Sequence, residues 1–103
     1  MRTMMTVKIP TAAGNEAIKD GSLPETIGKA LDALNAEAAY FTSEDGMRTA
    51  LIFFDMSDSS EIPSAAEPFF MAFDAQITFA PVMNAEDMRA GVGRAMEAAS
   101  GRS

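Results

Sequence analysis

The chain has 103 residues, 48% of them apolar, with 15 acidic against 8 basic side chains and a net charge of −7. That length suits one domain around one core, and the negative charge repels phosphate backbones and anionic lipid, so neither nucleic acid nor a membrane surface is an expected partner. Cysteine and histidine are both absent, which removes disulfides, thiolate chemistry, imidazole bases and the commonest transition-metal ligands.

No cofactor is expected. Among metals only carboxylate-bound magnesium or calcium stays open, and the acidic pairs Glu44, Asp45 and Glu86, Asp87 lack the spacing of a calcium loop, so no metal site is expected either. No segment reaches the roughly 20 apolar residues of a membrane span, and a cytoplasmic location is the expectation. Nine methionines are many for this length, and their commonest use is to fill a core.

The first element is a strand. From Arg2 to Ile9, Thr3, Met5, Val7 and Ile9 fall on one face and Arg2, Met4, Thr6 and Lys8 on the other. Thr11 to Gly14 reads as a small-residue connection, followed by a helical region to about Asn35. Ser22 and Glu25 are spaced as a capping box with Pro24 in the first turn, and Leu23, Ile27, Ala30, Leu31 and Leu34 form a helical stripe. Gly21 permits either a separate preceding turn or one kinked helix.

Two strand-like runs then flank Glu44, Asp45 and Gly46. With Asp45 and Gly46 as a two-residue turn, Glu44 pairs with Met47, Thr42 with Thr49, Tyr40 with Leu51 and Ala38 with Phe53. A slip by one residue would exchange the faces. Ser57 to Ser60 supplies turn and cap residues before a second helix with Ile62, Ala66, Phe69, Phe70 and Phe73 at helical spacing. Pro68 predicts a kink there, or a helix start closer to Glu67. Ala75 to Met83 alternates again as a strand, with Pro81 favouring an edge. Asn84 caps a last helix with Asp87 at its third position and Met88, Val92, Ala95, Met96 and Ala99 as its apolar stripe. Residues 1–99 form the domain, and 100–103 are expected to fray.

The order predicts an α+β, ferredoxin-like βαββαβ fold with an extra C-terminal helix and a four-stranded antiparallel sheet whose first and third strands are central. Helices cover one face of that sheet. The third strand, however, is apolar on both faces, so Met4, Ala38, Tyr40, Leu51 and Phe53 are left on the open face. Burying such side chains is worth roughly 1.5–3 kcal/mol each, and a twofold partner packed on the same face is the economical cover. Met4, Tyr40, Leu51 and Phe53 are the expected homodimer interface.

The phrases NEAIKDGSLPETI, EAAYFTSEDGMRTALIFFDM, IPSAAEPFF and PVMNAEDM resemble a small bacterial family, without an assigned activity, of the dimeric α/β barrel superfamily. The resemblance implies two ferredoxin-like subunits packed sheet against sheet. The wider superfamily includes cofactor-independent monooxygenases, small isomerases, haem-degrading enzymes and stress-response proteins, which implies room for a cavity and no particular chemistry. Several of its haem-linked and monooxygenase members use a histidine that has no counterpart here.

Candidates for chemistry are few. Tyr40 can hydrogen-bond a ligand or act as an acid, although an amphipathic interface role is commoner for such rings. Lys8 can hold an anion or, if desolvated, serve as a base, and Asp55 can pair with it if their strands adjoin; Tyr40, Lys8 and Asp55 are the catalytic candidates. Thr6, Phe69 and Phe73 are the ligand-binding candidates, the phenylalanines through a helix-to-sheet pocket that also includes Met71. Arg48, beside the hairpin turn, reads as a solvated charge. Two functions follow as expectations: a homodimer that binds a small, partly apolar ligand or acts as an interaction protein, and, alternatively, a cofactor-independent enzyme of monooxygenase or isomerase kind.

Overall fold

The computed structural model describes residues 1–101. They form strand β1 (Arg2–Ile9), helices α1 (Thr11–Lys19) and α2 (Ser22–Leu34), strands β2 (Ala38–Glu44) and β3 (Met47–Asp55), helix α3 (Ile62–Phe73), strand β4 (Gln76–Pro81) and helix α4 (Ala85–Ala99). The strands make one antiparallel sheet in the order β2-β3-β1-β4, with β1 and β3 central as the alternation predicts. This is the α+β, ferredoxin-like arrangement with an added C-terminal helix.

The hairpin register is that of a two-residue turn, pairing Glu44 with Met47, Tyr40 with Leu51 and Ala38 with Phe53. Asp45 (φ 53°) and Gly46 (φ 74°) both take positive φ, the requirement of the turn whose twist matches that of its strands. β4 lies at an edge, where the missing N–H of Pro81 leaves no ladder partner unsatisfied.

Three local expectations are corrected. Residues 11–14 are helical rather than a connection: α1 starts directly after Pro10, and the Gly14 N–H donates to the Pro10 carbonyl at 2.9 Å. Gly14 is buried, and a Cβ there would stand 2.6 Å from Arg48 Nη1, so its small size lets Arg48 lie across the helix. Ser22 is not an N-cap. Gly21 (φ 79°) breaks the region into two helices and itself occupies the N-cap position of α2, while the Ser22 N–H donates to Asp20 Oδ1 at 2.9 Å. The Ser22 hydroxyl and then its N–H hold the Asp20 carboxyl below the usual carboxylate range. Finally, α3 starts at Ile62, well before Glu67, and includes Pro68 in its interior. The carbonyl that Pro68 leaves without a donor belongs to Ser64, which is exposed and open to water.

The core lies between the sheet and the helices. Met5, Val7, Ile52, Phe54, Phe69 and Phe73 are its largest fully buried side chains, with Leu23, Ile27, Leu31 and Leu34 of α2 packed against it. Alanines at Ala17, Ala30, Ala65 and Ala66 bring the helices close to the sheet. The expectation that methionines fill this core is overturned: among the described residues only Met5 is buried, while Met1, Met71, Met83, Met88 and Met96 are exposed. α4 begins as expected, with the Asp87 N–H donating to Asn84 Oδ1 (2.8 Å) and the Asn84 N–H to Asp87 Oδ2 (3.2 Å). It buries none of its side chains, and the radius of gyration is 17.0 Å, against about 13 Å for a compact domain of this size. Ser100 and Gly101 close the end of α4, with N–H bonds to Met96, Glu97 and Ala98 carbonyls; the remainder of the tail expected to fray lies outside the described residues.

Candidate functional site

The open face of the sheet is built in rows, because antiparallel pairing aligns every second residue across all four strands. One row reads Ala38, Phe53, Met4, Ala80; the next reads Tyr40, Leu51, Thr6, Thr78; the third reads Thr42, Thr49, Lys8, Gln76. Beyond the first row Arg2 stands opposite Asp55, so the apolar rows lie between a charged end and a polar end of the face. Among the described residues no helix covers it. Leu51, Phe53 and Met4 are half-buried by their neighbours alone, and Tyr40 is 63% exposed. The Tyr40 ring meets Phe53 edge-on, with centroids 6.1 Å apart and an interplanar angle of 77°, a favoured aromatic geometry.

At the polar end Thr6, Lys8, Glu44, Gln76, Ile77 and Thr78 line a depression of about 330 Å³, within the usual size range of small-ligand pockets. Two of the sequence candidates, Thr6 and Lys8, thus share one site. Lys8 Nζ lies 2.7 Å from Asp45 Oδ2 and 3.8 Å from Glu44 Oε2. The Asp45 hydrogen bond, followed by the Coulomb attraction of both carboxylates, raises the Lys8 pKa, and Lys8 in turn lowers that of Asp45. Lys8 is consequently a charged ammonium at neutral pH with its countercharge in place. Such a group neither abstracts a proton nor attracts an anion strongly.

The expected pairing of Lys8 with Asp55 does not occur. β1 and β3 do adjoin, but they run antiparallel, so Asp55 stands opposite Arg2 and Lys8 opposite Thr49. Asp55 Oδ1 instead accepts from the Met1 amine at 2.6 Å. Asp55 and Lys8 lie at opposite ends of the sheet, and Tyr40 lies on an edge strand between them; the three catalytic candidates do not converge. Phe69 and Phe73 are also corrected. Both are fully buried core side chains, with ring centroids 6.3 Å apart, and expose no surface to a ligand. Met71, on the same helix, faces outward. One apolar cleft on the helical side, about 420 Å³, lies between α2 and α3 over Phe54 and is lined by Ala30, Ala33, Ala65 and Pro68; another, about 400 Å³, is lined by Ile18, Leu23, Ile27 and Phe41.

Sequence reasoning missed Gln76, Thr78 and the hairpin carboxylates as neighbours of Lys8. The signal was present: antiparallel pairing of the first and third strands necessarily brings the end of the first to the hairpin turn. Arg48 was misread as solvated. It faces the helices, half-buried, and its Nη2 donates to Asn15 Oδ1 at 3.0 Å. Among the described residues there is no group of three or more carboxylates placed to hold a metal ion, and no helix is long and apolar enough to cross a membrane.

The fold is similar to part of a formyltetrahydrofolate deformylase from Pseudomonas putida. The TM-score is 0.52 at 10% sequence identity, over 80% of this chain and 29% of the deformylase chain. At that identity the likeness shows the ferredoxin-like fold alone. No protein-family model and no curated protein sequence matches the chain.

Proposed function

We propose that the protein is a cytoplasmic homodimer of the dimeric α/β barrel kind that binds a small, partly apolar ligand between its two open sheet faces, without catalysis of its own. The observation that carries this reading is the open sheet face. Its apolar rows, with Met4, Leu51, Phe53 and Tyr40, demand a cover that no element among the described residues supplies. Its polar end supplies hydroxyl and amide groups from Thr6, Thr78 and Gln76 around a depression. Because Lys8 already holds two carboxylates, the ligand that suits this end is uncharged, with hydrogen-bonding groups at one side and an apolar body directed toward Leu51.

The position of methionines supports a recognition surface. Met4 lies on the open face and Met88 and Met96 on α4, where flexible, polarisable side chains suit contact with a partner better than packing in a core. The alternative of a cofactor-independent enzyme loses support from the separation of Tyr40, Lys8 and Asp55, since general acid–base work needs its groups within hydrogen-bond reach of one substrate.

Sedimentation equilibrium at micromolar concentration tests the assembly: a dimer is expected, dissociated by Phe53→Lys, and a monomeric wild type sinks the reading. Native mass spectrometry of the purified dimer tests the ligand. A bound small molecule that is lost in the Thr6→Val, Thr78→Val double variant supports the site, whereas an adduct retained by that variant places the ligand elsewhere and overturns it.

A further inference from the structure

Helix α4 is amphipathic, and among the described residues nothing buries its apolar face. Met88, Val92 and Met96 recur every four residues and, with Ala85, Ala95 and Ala99, fill an arc of about 100°, the width of a face that packs on a body. They are nevertheless 45%, 47% and 67% exposed. The helix has 15 residues, at the margin of what persists alone in water, and its interior includes Gly91 and Gly93, each costing about 1 kcal/mol relative to alanine. Capping by Asn84 and Asp87 secures its first turn only. Burial of its apolar face is what can hold the rest.

We propose that α4 is an intersubunit arm whose Met88, Val92, Met96 face packs on a second copy of this chain, along the rim of the paired sheets. The inference rests on the dimer reading above, and three observations point to a second copy. First, α4 leaves from the border of the open face: Arg2, on that face, holds Glu37 at 2.8 Å and reaches Asp87 of the first turn of α4 at 3.7 Å. Second, a twofold axis along the strands lays each row of the open face on its own copy, apolar on apolar, and sets the β4 edge of each protomer beside the β2 edge of its partner. α4, following β4, then issues at the partner's rim. Its length, about 22 Å, is close to the roughly 23 Å of a seven-residue strand such as β2.

Third, the sheet face alone is small for a stable dimer. Four strands about 4.8 Å apart and three rows about 6.8 Å apart cover about 400 Å² in projection. Side-chain relief raises that toward the roughly 600 Å² per partner at the low end of specific interfaces, short of the standard of about 800 Å². The exposed face of α4 adds the balance. Gly91 and Gly93 have open space where a Cβ would be, so they leave room for a close neighbour on that helix.

The test compares wild type, Val92→Glu and Phe53→Lys by sedimentation equilibrium together with amide hydrogen exchange over residues 88–99. Expected are a dimer dissociation constant raised at least tenfold by Val92→Glu, slow exchange along α4 in the wild-type dimer, and fast exchange there in the Phe53→Lys monomer. Val92 is half-exposed in the protomer, so its replacement leaves the fold intact, which an unchanged urea midpoint of the monomer verifies. A wild-type dimer whose dissociation constant is unmoved by Val92→Glu and whose α4 exchanges freely overturns the arm while leaving the dimer standing. A monomeric wild type removes both.

Discussion

Lys8 Nζ lies 2.7 Å from Asp45 Oδ2, so the end of central strand β1 is tied to the tip of the hairpin formed by β2 and β3. The contact crosses 37 residues of chain. It reinforces the antiparallel pairing that sets every row of the open face, since β1 and β3 can be held in register at that end by charge as well as by ladder hydrogen bonds.

This pair has a defined pH signature. The hydrogen bond from Lys8 and its positive charge hold the Asp45 carboxyl below the usual range. Its stabilisation is therefore complete above the ordinary carboxylate pKa of about 3.9 and is lost as pH falls through the lower folded-state value. The Lys8 pKa is raised, so its share persists below about pH 10.4 and disappears as pH rises through the folded-state value. Asp45→Asn keeps a residue that tolerates positive φ before glycine. Urea midpoints measured from about pH 2 to pH 7 should rise less steeply with pH in the variant than in wild type; parallel curves would show that the pair contributes nothing.

Two glycine replacements should act in opposite directions. Gly46 has φ 74°, a conformation in which a Cβ meets the following carbonyl, so Gly46→Ala should cost about 1–2 kcal/mol. Gly28 lies inside α2 with open space at its Cβ position, so Gly28→Ala should stabilise by about 0.5–1 kcal/mol. Equilibrium urea unfolding reads both. Equal effects of one sign would contradict the turn geometry.

Phe69 and Phe70 are adjacent in sequence and opposite in burial. Phe69 is 0% exposed and Phe70 40%, so Phe69→Ala should lower stability by about 3–5 kcal/mol and Phe70→Ala by well under half of that in the monomer. Thermal and urea unfolding of the two variants check the difference. Similar losses would mean that α3 presents a different face to the sheet.

Much of the fold was legible because its signals are local. Alternation from Arg2 to Ile9, the Asp45, Gly46 turn and the Asn84, Asp87 cap each specify their element through the dihedrals and hydrogen bonds of nearby residues. Where local signals compete, the sequence misled: Gly21 displaced Ser22 from the N-cap position of α2, and a run of small residues read as a connection became the start of α1. Of the candidate site, Thr6 and Lys8 were placed on one face by period-two spacing, while Gln76 and Thr78 came from a strand about 70 residues away, with no local mark to associate them.

The order of the strands, the central place of β1 and β3 and the two-sided apolar character of β3 are readable in the chain, and the Asp45, Gly46 turn favours the register found. These follow from side-chain period and turn chemistry, which the backbone obeys over a few residues. Assembly of distant segments is what brings Lys8 to Asp45 and not to Asp55, seals Phe69 and Phe73 in the core and leaves the methionines mostly outside it. It also leaves the Met88, Val92, Met96 face of α4 exposed in the protomer. Such outcomes depend on strand direction and on which layer covers which face. Those relations exist only once distant segments are assembled, because burial and long-range pairing belong to the packed layers and not to any one stretch of chain.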